Sequence, residues 1–273
     1  VYTVLPVHYD ENTKQYMAFR LADHLRRIRQ SAQIVGMVID ENLLEPESFA
    51  AQLGSLLRAD EVSEDVLARV TLFTDGIIAG AKTHGQPTSM SIYLYTNPEF
   101  YPPAGIHVGV SSWRRTPDNC IPARAKINGG YAGAALMKNQ ALLDGYDDAI
   151  ALGLDGHVAE STVANIFIVR GGRLVTPGLS ADILEGITRD SAICWAQEHD
   201  LLVEQRPVDR TELYIAEEVF LTGTSAKITP VLSIDRRPIS GGKAGPITKK
   251  LQSDYDSLLT GGVTINSAWL TVI

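Results

Sequence analysis

Residues 96–105 read Thr96-Asn97-Pro98-Glu99-Phe100-Tyr101-Pro102-Pro103-Ala104-Gly105, three prolines in ten positions. Proline has no N–H to give a sheet and restricts the residue before it, so this stretch cannot lie in a sheet interior. It separates two differently patterned regions. The expectation is a small α/β domain over 1–96, a connecting loop over 97–105 and a larger α+β domain over 106–273. The 273 residues, 45% apolar and 21% charged, suffice to bury one or two sizeable cores.

In the first region, Tyr2 to Val7 and Gln15 to Phe19 read as strands around the polar turn Asp10 to Thr13. From Ala22 to about Gly36, Leu25, Ile28, Ala32 and Val35 recur at three- and four-residue intervals, one face of an amphipathic helix. Arg26, Arg27, Arg29 and Gln30 lie largely off that stripe. Further helices are expected over Pro46 to Leu57 and from near Ser63, and strands over Val70 to Phe73 and Met90 to Tyr95. In the second region, Ile106 to Ser112 and Arg124 to Ile127 read as strands, and Tyr131 to Leu143 as a helix ended by Gly145. Turns at Asp155-Gly156 and Gly171-Gly172 join short strands into hairpins. A helix over Thr188 to His199, strands over Leu201 to Glu204 and Glu218 to Thr222, and a closing helix over Pro246 to Leu259 complete the pattern.

Subtracting 32 acidic from 24 basic residues leaves a charge of −8, which argues against a nucleic-acid partner. No apolar run approaches the roughly 20 residues that cross a bilayer, and Val1-Tyr2-Thr3-Val4-Leu5-Pro6 lacks the charged start of a signal peptide. Two cysteines, Cys120 and Cys194, without a C-x-x-C pair indicate neither a disulfide framework nor structural zinc, and fit a cytoplasmic setting. The six histidines show no ligand spacing, so no metal is expected. Dinucleotide, P-loop, zincin and hydrolase-elbow motifs are all missing from the sequence.

Three segments offer an anion-friendly backbone or charge. Gly186-Ile187-Thr188 opens a helix, where unpaired N–H groups can receive a phosphate; alternatively Thr188 simply caps the helix. Thr222-Gly223-Thr224-Ser225-Ala226 follows a strand and is either a nest of N–H groups or a plain polar turn. The arginine cluster around Arg27 is by default a solvated face and otherwise an anion clamp. Lys126, before the glycine pair Gly129-Gly130, is either a solubilising lysine or an amine that attacks carbonyls from a cationic neighbourhood. Glu160 precedes the apolar run Ala164 to Ile168, where a buried carboxylate needs a cationic partner.

Together these pieces resemble the fold-type IV family of pyridoxal-phosphate enzymes, with the branched-chain amino-acid aminotransferases as the best match. The resemblance runs from about Phe19 to the chain end. It is carried by Ser112-Trp113-Arg114-Arg115, Ala125-Lys126, Gly145-Tyr146-Asp147-Asp148-Ala149-Ile150, Asn165-Ile166-Phe167, Gly186-Ile187-Thr188-Arg189, Glu212-Leu213-Tyr214 and Thr222-Gly223-Thr224. It implies a D-amino-acid aminotransferase-like fold of two domains with pyridoxal 5′-phosphate between them. The implied reaction moves an amino group from leucine, isoleucine or valine to 2-oxoglutarate through a Schiff base on Lys126. The implied partners are amino acids and 2-oxo acids, with no metal and no membrane, in a homodimer.

Position by position, the resemblance makes Lys126 the Schiff-base and proton-shuttling lysine, Tyr131 the partner of the cofactor's phenolic oxygen, and Glu160 that of its pyridine nitrogen. Arg27, Ile187, Thr188 and Thr224 would bind the phosphate. Leu184 would pack on the ring, and Ser225, Ala226 and Arg69 would receive the substrate carboxylate. Three departures stand out. The family's glycine- and aromatic-rich opening segment has no counterpart ahead of Val1 in this sequence. Leu67 stands where branched-chain enzymes carry a tyrosine two residues before the arginine, and Thr224-Ser225-Ala226-Lys227 replaces an alanine-rich version with glutamate. Other chemistries on this fold stay open: a D-amino-acid or amine transaminase, an aminodeoxychorismate lyase, or a cofactor-binding protein without turnover.

Overall fold

The computed structural model describes residues 1–76, 80–96, 100–259 and 267–273. Its elements run β1 (Tyr2–Asp10), β2 (Gln15–Phe19), α1 (Leu21–Ile34), α2 (Pro46–Ala59), β3 (Val66–Thr74), β4 (Thr88–Thr96), β5 (Ile106–Arg114) and α3 (Tyr131–Leu143). Then follow β6 (Asp148–Leu152), β7 (Val158–Ser161), β8 (Asn165–Arg170), β9 (Arg173–Thr176), α4 (Ile187–Glu198), β10 (Val203–Gln205) and β11 (Glu218–Gly223). The chain ends with β12 (Lys227–Ile234), β13 (Arg237–Pro238), α5 (Pro246–Leu259) and β14 (Leu270–Val272). Two compact units emerge, one of Val1–Pro98, Ala125–Asn128 and Ser257–Ile273, the other of Glu99–Arg124 and Gly129–Asp256. Of the connector read from the prolines, residues 97–99 lie outside the described residues.

The first unit holds a five-stranded sheet in the order β14-β2-β1-β3-β4. Leu5, Val7, Ala68 and Val70 face Leu21, Leu25, Ile28 and Ala32 of α1 and Phe49, Leu53 and Leu57 of α2 in one buried cluster. Strand alternation explains the division of labour: Leu5 and Ala68 are cross-strand partners in the core, so Val4, Arg69 and Tyr93, which are aligned one residue away, share the other face. No helix begins near Ser63, contrary to the expectation. The chain turns there and enters β3, because Val66–Thr74 pairs along its length with β4 and on its other edge with β1, and ladder pairing outweighs local helix propensity.

The second unit holds a nine-stranded mixed sheet, β10-β9-β8-β11-β12-β5-β6-β7, with β13 attached to β12. β8 is covered on both faces, which explains its continuous apolar run: Ile166 and Ile168 join one core, while Phe167 stacks on its cross-strand partner Phe220 with ring centroids 5.0 Å apart. Beyond them, Trp195 of α4 meets Tyr255 of α5 edge to face. The eight-residue β12 is absent from the sequence reading, since Pro230 argues against a strand inside a sheet. It is accommodated where β12 is antiparallel to β11, and the pairing with β5 carries an irregularity between Val231 and Ser233. A buried network fixes the start of this unit: Tyr101 donates to Asp148 at 2.7 Å, Thr162 donates to the same carboxylate at 2.6 Å, and burial together with Asp148 pushes the Tyr101 phenol far up.

Candidate active site

Lys126 does not lie on a strand. The expected strand over Arg124 to Ile127 is corrected to a turn closed by an Ile127 N–H to Ala125 C=O bond of 2.9 Å. Alternating apolar residues suggested the strand, but the lysine's backbone finds other partners. Its N–H donates to Ser31 Oγ at 3.1 Å, and its C=O accepts from the Tyr2 N–H at 2.9 Å. Ser31, fully buried on α1, in turn donates to the Arg27 C=O at 2.8 Å. The root of the lysine is thus tied on both sides to groups of the first unit's core.

The arginine cluster of α1 splits by helical phase. Arg26 is exposed and pairs with Asp23 at 2.6 Å, and Arg29 reaches Glu41 at 2.7 Å, as a solvated face would. Arg27 is different, only 8% exposed, on a stripe with His24 and Ser31 beside the apolar Leu21, Leu25, Ile28 and Ala32. Its guanidinium donates to Thr3 Oγ1 at 3.0 Å, and that oxygen lies 2.7 Å from His24 Nδ1. Burial, reinforced by the positive charges of Arg27, Lys126 and Arg20, holds the His24 imidazole well below its usual pKa.

On the sheet face away from the helices, Arg69 stacks its guanidinium 3.8 Å from the centroid of the Tyr2 ring and donates to Asn128 Oδ1 at 2.5 Å. Lys126 Nζ lies 4.8 Å from the same ring, so one tyrosine ring holds two cations. Leu67, cross-strand from Tyr95, shares this face. Burial pushes the Tyr95 phenol up, with Arg69 opposing.

In the second unit, Asn165 organises the other candidates. Glu160, on β7 and 5% exposed, pairs through Oε1 with Arg115 at 2.6 Å. Its Oε2 accepts from Asn165 Nδ2 at 3.0 Å and from the Leu184 N–H at 3.2 Å. Asn165 Nδ2 also donates to the Leu184 C=O at 3.0 Å. Gly186 is the N-cap of α4 and provides no side-chain cap; a Cβ there would stand 2.0 Å from Asn165 Oδ1, so only glycine fits. Thr188 is therefore the second helical residue and not the cap. Ile187 and Thr188 are both buried.

Thr222 pairs with Asn165 across β11 and β8, and just beyond it Thr224, Ser225 and Ala226 form the three-residue turn into β12. Gly223 lets that turn pass close to residues 163 and 164: a Cβ would lie 3.3 Å from the Ala164 Cβ. Glu160, Leu184, the start of α4 and this turn are consequently gathered around one asparagine. Tyr131 opens α3 in the same unit and is half-buried. Arg27, Lys126 and Arg69 belong to the first unit. Arg115, Asn165, Thr3, His24 and Ser31 were given no role by the sequence. Arg115 and Asn165 stand in the family-like strings, His24 and Ser31 in a further one, His24-Leu25-Arg26-Arg27-Ile28-Arg29-Gln30-Ser31, and a polar residue opening an apolar strand was the available signal for Asn165.

The residues present fit pyridoxal phosphate on observations within each unit. Ile187 and Thr188 open a helix with no side-chain cap, behind a glycine that admits no Cβ, and the Thr222 hydroxyl is buried without a hydrogen-bond partner among the described residues. Arg27 adds a buried cation, Lys126 a primary amine and Glu160 a buried carboxylate. Among the described residues no group of three or more His, Cys, Asp or Glu could hold a metal ion, and no helix is long and apolar enough to cross a membrane.

A family model described as Amino-transferase class IV matches residues 1–234. The probable branched-chain-amino-acid aminotransferase of Aquifex aeolicus is 37% identical over 275 residues, covering 100% of this chain and 88% of that protein. Among solved structures, the branched-chain aminotransferase of Thermoproteus uzoniensis with norvaline superposes with a TM-score of 0.93 at 32% identity, covering 100% of this chain and 89% of that one. The T.th. branched-chain amino acid aminotransferase complexed with N-(5′-phosphopyridoxyl)-L-glutamate gives a TM-score of 0.90 at 32% identity, covering 99% and 88%. On this agreement of sequence and fold, the chain belongs to the class IV aminotransferases, the pyridoxal-phosphate enzymes of fold type IV.

Proposed function

We propose that this chain moves the amino group of leucine, isoleucine or valine to 2-oxoglutarate, with pyridoxal phosphate bound to Lys126. The observation that carries the reading is the lysine turn, whose backbone is held by Ser31 and Tyr2 while Nζ sits among cations and an aromatic ring. An amine that must attack an aldehyde and later move a proton needs a fixed root, which these two backbone bonds supply. When bound, the cofactor supplies an electron sink for the pair left on the substrate's α-carbon. Lys126 Nζ would be the group that takes the α-proton and returns it, the acid–base role of the freed amine. Glu160 would hold the pyridine N–H, and its partners Arg115, Asn165 and the Leu184 N–H keep its carboxylate oriented.

Arg27 and the N–H groups and hydroxyls of Ile187, Thr188 and Thr224 are assigned to the phosphate, Tyr131 to the phenolic oxygen and Leu184 to the ring face. The substrate carboxylate goes to Arg69 and to the backbone of Ser225 and Ala226. The relatives named above support the aliphatic donor, and the glutamate adduct of the T.th. enzyme supports glutamate and 2-oxoglutarate as the second pair. The layout of domains over 1–96 and 106–273 with a connector over 97–105, a cytoplasmic setting and a homodimer belong to the same reading. Leu136, Leu142 and Leu143, apolar and exposed on α3, support self-association.

The test is a half-reaction followed by the colour change of the bound cofactor. L-leucine, L-isoleucine and L-valine should convert it to the amine form faster than D-alanine does, and the reverse order would reject the L-branched-chain assignment in favour of a D-amino-acid transaminase.

A further inference from the structure

The first unit contains a buried polar line that no role above absorbs. Thr3 is fully buried on the helix-facing side of β1, His24 is 1% exposed on α1, and both lie against Arg27. Burying a threonine and a histidine in an aliphatic core is costly unless each polar atom has a partner. Here the partners form a sequence with a direction. A guanidinium can only donate, so the bond of 3.0 Å makes Thr3 Oγ1 an acceptor from Arg27. The hydroxyl keeps one proton to give, and His24 Nδ1 stands 2.7 Å away. The alternative, an Nδ1–H donating to the hydroxyl, would aim the positive end of the ring at an oxygen already facing a cation. It would also leave the hydroxyl proton without the ring nitrogen as its acceptor.

We propose that Thr3 and His24 are positioning residues for Arg27: the guanidinium donates to the Thr3 hydroxyl, the hydroxyl donates to His24 Nδ1, and the ring so fixed, with its proton on Nε2, locks the guanidinium in its phosphate-binding orientation. The proposal rests on the reading of Arg27 as a phosphate ligand. Thr3 and His24 lie on different elements, β1 and α1, so the line also ties the strand that holds Lys126 through Tyr2 to the helix that holds it through Ser31. A hydroxyl is required at position 3; the threonine methyl is not.

The test compares wild-type holoenzyme with Thr3→Val, Thr3→Ser and Arg27→Ala, each equilibrated against pyridoxal phosphate and, separately, against pyridoxal, which lacks the phosphate. Arg27→Ala should weaken retention of pyridoxal phosphate; if it does not, Arg27 is not a phosphate ligand and the proposal falls with that reading. With Arg27→Ala responding, Thr3→Val should raise the dissociation constant for pyridoxal phosphate about tenfold, the scale of one hydrogen bond to a charged group, and leave that for pyridoxal unchanged. Thr3→Ser should restore the wild-type value. Nitrogen NMR of His24 in the wild type should show the Nε2–H form. Unchanged phosphate-ester retention in Thr3→Val overturns the proposal, as does equal weakening for both compounds, which marks general damage, or a proton on Nδ1.

Discussion

Glu160 illustrates how a buried charge is made tolerable. It is enclosed by one cation and two N–H donors, Arg115, Asn165 and Leu184, and the side chains among them are themselves fixed: Arg115 Nε donates to the Asp182 C=O at 2.9 Å, and Asn165 opens the central strand β8. Removing the carboxylate leaves the Lys126 and Arg27 groups in place. Glu160→Ala should therefore keep bound cofactor while turnover falls by about a hundredfold or more, the range typical for loss of a group acting in the transition state. Absorbance of the bound cofactor and a steady-state assay measure the two effects, and unchanged turnover would contradict the assignment. Positions such as Lys126 and Glu160 could be proposed from the sequence because they stand in or beside family-like strings. The Arg115–Glu160 pair was not visible, since its partners lie far apart in the chain. The burial of Arg27 was equally hidden: helical phase separates it from Arg26 by one step, and only the packed core decides which of the two is inside.

Helix α1 combines a core stripe with a buried polar one. One stripe supplies Leu21, Leu25, Ile28 and Ala32 to the core, and the neighbouring stripe supplies His24, Arg27 and Ser31. The apolar stripe was legible from its period, whereas the polar one was not, because its partners Thr3 and Lys126 come from other parts of the chain. The helix carries a pH signature. His24 has a folded-state pKa well below its usual value of about 6.5, so on acidification the unfolded chain takes up a proton that the folded one refuses. Stability should fall as pH drops from about 6.5, by up to about 1.4 kcal/mol per pH unit from this residue. Urea unfolding of wild type and His24→Asn between about pH 7.5 and 5 measures it; the variant should lose that part of the slope, and identical slopes would contradict the buried neutral imidazole. Other elements show where pattern reading stops. β12 was masked by Pro230, and the turn at Lys126 imitated a strand, because in both places backbone partners outside the segment decide the conformation.

At the scale of the molecule, sequence motifs and three-dimensional arrangement lead to the same family by different routes. The strings that gave the resemblance, from Ser112-Trp113-Arg114-Arg115 to Thr222-Gly223-Thr224, lie in the second unit, apart from Ala125-Lys126 and the string around Arg27. The lysine turn joins the first unit although residues on either side of it belong to the second, a grouping that a linear reading cannot anticipate. The account as a whole depends on that turn presenting its amine to pyridoxal phosphate. Borohydride reduction of the holoenzyme followed by peptide mapping tests this most directly: the account predicts a single stable phosphopyridoxyl adduct on Lys126, and an adduct on Lys82 or Lys138, or none at all, would contradict it.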